Sequence, residues 1–175
     1  MLSFAGPTLG GSMLDITLRD CTAEDIPSVV DLDVEVFGTD CYSRLVFRQL
    51  QEICSGLFRV AVADHGQIVG YSVGALRAGT RDAWILSLGV RPAFRQQGVA
   101  RRLTLDLINR FAVLGTENVW LTVAPDNDHA RRLYVSLGFS VAGFDPDYFG
   151  PGQAREIMRL TLPLPTSPGP ARSPS

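Results

Sequence analysis

The sequence contains no lysine; all 16 of its basic residues are arginines. No side chain therefore offers an amine to an acyl donor, and self-acylation is confined to the N-terminus. Histidine occurs only at positions 65 and 129. The three cysteines, Cys21, Cys41 and Cys54, are widely separated. Neither residue type falls at metal-ligand spacing, so no metal is expected. An odd number of cysteines excludes a fully paired disulfide framework and fits a reduced, cytoplasmic protein. No apolar run reaches the roughly 20 residues that span a bilayer, so no membrane role is expected. The net charge of −2 and pI near 5.6 argue against a general nucleic-acid binder. Neither the G-x-G-x-x-G dinucleotide fingerprint nor the G-K-[ST] end of a Walker loop is found.

What is there fits one ordinary globular domain: 46% of residues are hydrophobic and 19% charged, within a length of 175. Residues 13–163 are expected to form it. MLSFAGPTLGGS lacks the cationic start and long apolar core of a signal peptide, so residues 1–12 read as a flexible leader. Met1 and Met13 both remain open as the start. The proline- and serine-rich stretch over 164–175 reads as a disordered tail.

Between these ends the periodicity alternates. DITLRD reads as a half-buried strand. Thr22 and Asp25 are spaced to cap the helix that follows, with Pro27 near its tolerated first turn. The acids Asp20, Glu24, Asp25, Asp31, Asp33 and Glu35 read there as a solvated face. Ser43 caps a second helix, RLVFRQLQEIC. LFRVAVA and QIVGYSVGALR flank a turn at Asp64-His65-Gly66, and AWILSLGV returns as a third antiparallel strand. A helix follows Gly98, with Val99, Leu103, Leu107, Phe111 and Leu114 on one stripe. NVWLTVA reads as a strand buried on both faces. A short helix over DHARRLYVS and two last strands, FSVAGFD and REIMRLTL, complete the order. The expectation is an α/β chain (α+β, mixed sheet) of about seven strands and about four helices.

Two segments carry candidate chemistry. In RPAFRQQGVARRL a strand ends and a helix begins across one glycine. A helix N-terminus presents free N–H groups and partial positive charge. Arg95, Arg101 and Arg102 add cations, so the turn suits a pyrophosphate; a bland helix start with solvated arginines is the alternative. In LTVAPDNDHARRLYVSLGF, Asn127 stands at a strand-to-helix junction and Tyr134 on the helix. Singly they read as an N-cap and a partly buried aromatic.

Together, R-x-x-G-x-A (Arg95, Gly98, Ala100) and N-x-x-A-x-x-L-Y-x-x-L-G-F (Asn127 to Phe139) resemble the GCN5-related N-acetyltransferase (GNAT) superfamily, over roughly Asp15 to Leu162. LYVSLGF and the loop DYFGPGQAREIM resemble the RimI-like protein N-terminal acetyltransferases within it. The resemblance implies acetyl-CoA as donor and direct transfer of the acetyl group to a primary amine in a ternary complex. It implies CoA contacts at Leu88, Gly89 and Val90 on the fourth strand. Further contacts fall on Arg95, Gln96, Gln97, Gly98, Val99, Ala100 and Arg101 at the turn, and on Asn127. It implies Tyr134 as general acid, a bulge within SLGV, and an acceptor groove at Tyr42, Tyr148 and Phe149. The glutamate that the RimI-like pattern carries on the fifth strand is Thr122 here. Glu35, Asp145 and Asp147 are the carboxylates considered in its place. A protein N-terminal amine is one acceptor; a small amine, and a non-catalytic acyl-CoA-binding module, are alternatives. Monomer and homodimer are both open.

Overall fold

The structure, a computed structural model, describes residues 15–163; the expected leader, Met13 and the expected tail lie outside the described residues. β1 (Thr17–Asp20) leads through a tight turn into α1 (Ile26–Phe37) and then α2 (Arg44–Ile53). The antiparallel run β2 (Phe58–Val62), β3 (Ile68–Leu76) and β4 (Asp82–Val90) follows. Then come α3 (Val99–Val113), β5 (Asn118–Val123), α4 (Asp128–Ser136), β6 (Ser140–Asp145) and β7 (Arg155–Thr161). One seven-stranded sheet results, in the order β1-β2-β3-β4-β5-β7-β6. The mixed sheet and the four α-helices agree with expectation.

Local signals set the helix ends. The Thr22 backbone N–H donates to Asp25 Oδ2 at 2.8 Å. Ser43 Oγ accepts from the N–H of Val46 at 3.3 Å, and Asn127 Oδ1 accepts from that of Ala130 at 3.1 Å. Each bond satisfies an N–H that the helix cannot serve itself.

The helices divide between the two faces of the sheet. Phe47 of α2 meets Tyr71 of β3 edge-on, with centroids 5.4 Å apart, and Leu32 of α1 lies over Gly89. On the opposite face α3 lies against glycines: a Cβ on Gly70 would stand 3.1 Å from Leu103 and Val99, and one on Gly74 would stand 2.5 Å from Phe111. Close helix–sheet approach there depends on the missing side chains. α4 lies beside α3, where Arg101 Nη1 donates to Ser136 Oγ at 3.1 Å.

β5 departs from expectation. Val119, Leu121 and Val123 are buried, whereas Asn118, Trp120 and Thr122 are only half-buried. Its second face is not sealed because α1 packs on β3 and β4. On that open face Trp84 and Trp120 stack at 6.0 Å, with the Arg159 guanidinium 5.5 Å from the Trp120 ring.

The central break lies between β4 and β5. They are parallel, yet pair only from Asp82–Trp84 to Asn118–Trp120. Beyond Trp84 they separate, β5 taking β7 on its other side and β4 keeping β3. Two strands that part leave edge backbone groups facing a gap, which is where a site forms.

Candidate functional site

The gap opens into a cleft of about 1070 Å³, a size suited to a cofactor-sized molecule. One wall is β4 and the turn after it. Arg95 is extended, Gln96 has φ +61° and Gly98 φ +78°. A glycine adopts this left-handed geometry freely, whereas Gln96 is held there at some cost. The first bond of α3 runs from the N–H of Arg102 to the Gly98 carbonyl at 3.0 Å. The N–H groups of Val99, Ala100 and Arg101 thus have no partner within the helix and point out of its N-terminus. Such a turn suits an anion.

Leu88, Val90, Arg95, Gln96, Gly98, Val99, Ala100 and Arg101 all line the cleft, as does Asn127 at the start of α4. Three expected contacts do not line it. Gln97 turns its amide back onto the Ala93 carbonyl at 3.1 Å. Gly89 pairs regularly with Tyr71, and a Cβ there would lie 2.6 Å from the Tyr71 ring, so the missing side chain leaves space for that ring. Tyr148 packs its ring edge-on against Phe149 at 4.8 Å, leaving Phe149 and Tyr42 to line the wall. Arg102 also differs from expectation. Its guanidinium donates to the Ile16 carbonyl and ties α3 to the start of the chain.

Tyr134 comes from α4 and is buried among apolar groups, its ring 5.8 Å from Phe139. It lines the cleft, and burial pushes its phenol up to about 12, so it is protonated at neutral pH. No hydrogen bond within the described residues perturbs it. A proton donor facing the cleft is the chemical result.

The expected bulge in SLGV lies one step earlier. Ile85 pairs with Gly74 and Ser87 with Val73, so Leu86 is the extra residue. Adjacent β3 positions point to opposite faces. The bulge thus turns Ser87 to the face that Tyr71 occupies, away from that of Ile85. The register with β3 defines its position, which no local signal marks.

The carboxylates redistribute as well. Glu35 pairs with Arg91, outside the cleft. Asp145 Oδ1 accepts from the N–H of Asp147 at 2.9 Å, and Asp147 Oδ1 from that of Gly152 at 2.8 Å, so both shape the β6–β7 loop. Glu156 is held by Arg131 at 2.7 and 3.1 Å. Thr122 lines the cleft where the fifth strand would offer an acid.

Asp33, assigned from the sequence to a solvated face, is only 1% exposed and lines the cleft. It accepts from the Tyr71 hydroxyl and, at 2.6 Å, from the N–H of Tyr42. Burial raises its pKa, with the two hydrogen bonds pulling the other way. The helical stripe of Ile26, Val29 and Val30 reaches position 33 by spacing, the one signal that marked it as inward. Cys21 and Cys54 are buried and Cys41 half-buried; burial pushes the Cys21 thiol up to about 12. Among the described residues, no group of three or more His, Cys, Asp or Glu is placed to hold a metal, and no helix is long and apolar enough to cross a membrane.

Known proteins share this sequence and architecture. The model of the acetyltransferase (GNAT) family matches residues 25–139. The N-alpha-acetyltransferase RimI of Mycobacterium tuberculosis is 32% identical over 139 residues, 77% of this chain and 84% of that protein. The [ribosomal protein bS18]-alanine N-acetyltransferase of Haemophilus ducreyi is 38% identical over 85 residues, which cover 46% of this chain and 59% of that enzyme's length. Among solved structures, Ard1 from Thermoplasma volcanium superposes with a TM-score of 0.77 at 27% identity, over 84% of this chain and 97% of that one.

Proposed function

The chain belongs to the acetyltransferase (GNAT) family, and on that premise we propose that it moves an acetyl group from acetyl-CoA to a primary amine, the α-amine of a protein N-terminus. The carrying observation is that the Arg95–Arg101 turn, Asn127 and Tyr134, distant in sequence, line one cleft where β4 and β5 part. In this reading the free N–H groups at the start of α3 hold the pyrophosphate. The pantetheine arm runs along Leu88 and Val90 past Asn127, and the thioester lies toward Tyr134. The amine nitrogen bonds to the thioester carbon, the carbon–sulfur bond breaks, Tyr134 gives its proton to the departing thiolate, and the proton that the nitrogen sheds as the amide forms restores the Tyr134 hydroxyl. Tyr42 and Phe149 contact the acceptor. Residues 13–163 act as one domain, and a cytoplasmic setting goes with a substrate of the kind that the Haemophilus ducreyi relative's name states.

A second acceptor class, small amines, draws support from one difference. Thr122 stands where the RimI-like pattern has glutamate, and the nearby Glu156 is occupied by Arg131. Release of CoA thiol, measured against peptides with different first residues and a panel of small amines, tests both. Turnover on peptides but not on polyamines or amino acids is expected. Turnover only on small amines overturns the peptide reading, and tight acetyl-CoA binding without turnover on any amine overturns the enzyme.

A further inference from the structure

An amine that arrives as ammonium must lose a proton before its nitrogen can attack, and β5 supplies no carboxylate to take it. The sequence of β5 is NVWLTV. Two acids do line the cleft, Asp33 and Asp40. Asp40 is exposed at the end of the turn after α1. Asp33 is buried and heads a continuous line of hydrogen bonds: Asp33 Oδ1 to the Tyr71 hydroxyl, and that oxygen to Ser87 Oγ at 2.6 Å. Asp33 and Ser87 line the cleft; Tyr71 is fully buried between them.

The polarity of this line follows from its end. An ionised carboxylate only accepts, so Tyr71 must donate to Asp33. The Tyr71 oxygen is then free to accept, and Ser87 donates to it. That leaves the Ser87 lone pairs for a donor from the cleft, which is what an ammonium is. The bulge at Leu86 is what brings Ser87 to this face, and Gly89 leaves the space that the Tyr71 ring occupies.

We propose that Asp33, Tyr71 and Ser87 form the proton-accepting chain of the acetyl transfer, in place of a fifth-strand acid. This rests on the acetyltransferase reading above. One N–H bond of the ammonium breaks and its proton joins Ser87 Oγ. Ser87 passes its own proton to Tyr71, and Tyr71 passes its own to Asp33. The net change is one proton moved from nitrogen to the Asp33 carboxylate, with the nitrogen lone pair freed to attack. No electrons are exchanged. Asp33 returns the proton to water through the cleft after product leaves.

The ionisable groups that line the cleft with Asp33 are Asp40, Tyr42, Arg95, Arg101, His129, Arg132, Tyr134 and Arg155, and Tyr71 bonds to it from β3. Tyr71 and Tyr134 are both held protonated by burial. Of the direct partners of the Asp33 carboxylate, both are neutral donors. It is therefore the group in this line that titrates.

The test is kcat/KM against pH for wild type, Asp33→Asn, Ser87→Ala and Ser87→Thr, with acetyl-CoA and an amine that wild type accepts. Ser87 is half-buried, so Ser87→Ala keeps the test open if Asp33→Asn fails to fold. Both Asp33→Asn and Ser87→Ala are expected to fall about 100-fold below wild type at pH ~6 for an α-amine. The deficit should shrink about tenfold per pH unit toward the amine's own pKa of about 8, where the amine arrives neutral. Ser87→Thr keeps the hydroxyl and should restore the wild-type profile. A deficit that is constant with pH, or a Ser87→Ala enzyme equal to wild type, overturns the chain while leaving the acetyltransferase standing. A wild type that binds acetyl-CoA yet acetylates no amine overturns the underlying reading and the chain with it.

Discussion

Replacing Gly89 with alanine places a methyl carbon 2.6 Å from Cε1 of Tyr71 and 3.0 Å from Cδ2 of Leu32. Both neighbours are buried and packed, so something must shift. Gly74→Ala is a matched control, since its new methyl meets Cζ of Phe111 at 2.5 Å, against α3 on the other face. Overpacking of this kind costs about 1–3 kcal/mol. At roughly 2–4 °C per kcal/mol for a domain of this size, each variant should melt about 2–12 °C below wild type. The two differ in where the strain goes. Gly74→Ala moves a phenyl ring that bonds to nothing polar. Gly89→Ala moves the ring whose hydroxyl joins Asp33 to Ser87. A hydrogen bond to a charged group is worth about 1.5–3 kcal/mol, so losing it in the transition state lowers kcat roughly 10- to 100-fold. The assay is thermal melting beside CoA-thiol release at a temperature where both variants are folded. Similar melting losses, with the kcat deficit confined to Gly89→Ala, are expected. Equal kcat losses in the two variants, or none in either, rule out the Tyr71 hydroxyl as a working link between Asp33 and Ser87.

Gly98→Val should weaken acetyl-CoA binding more than Arg95→Ala or Arg101→Ala. Nothing lies within 4 Å of the new Cβ, so the damage comes from φ +78°, which displaces the N–H groups of the turn. Arg102→Ala, whose side chain is turned onto Ile16, should leave that binding unchanged; calorimetric titration ranks all four. Asp25 accepts two bonds from Arg19, which holds its carboxyl at about 2 against an ordinary 3.8. Its stabilisation is therefore complete above pH ~4 and lost as pH falls through about 2. Asp25→Asn should melt lower than wild type at pH 7, with the difference disappearing near pH 2.

The fold was legible in the chain because its signals are local. Ser43, Asn127 and Gly98 stand at helix starts, and LFRVAVA and QIVGYSVGALR, flanking the turn at Asp64-His65-Gly66, form β2 and β3. What is not legible in the chain depends on contacts between distant elements. NVWLTVA looks doubly buried until one sees that α1 stops at β4. Gly89 looks like a bulge until Tyr71 is packed beside it. Arg102 looks like a cation for the cleft until the Ile16 carbonyl, just before β1, claims it. Asp33 sits in an acidic helix, and only the burial of Tyr71 and the turn carrying Tyr42 make it different from Asp31 or Glu35. Apolar periodicity reports which face is inward; it does not report which polar group on that face has found partners.

An acetyl-CoA site between β4 and β5, with Tyr134 acting in the transfer, is most exposed to test at the Tyr134 hydroxyl. Tyr134→Phe removes one hydroxyl and leaves the ring beside Phe139, so the fold and the CoA contacts should persist. The most direct measurement is kcat for thiol release in this variant, run beside an acetyl-CoA titration of the same protein. A fall in kcat of about 100-fold or more, with acetyl-CoA affinity nearly unchanged, is the predicted result. Wild-type kcat would remove Tyr134 from the transfer, and loss of acetyl-CoA binding would make its hydroxyl a binding group and not the proton donor.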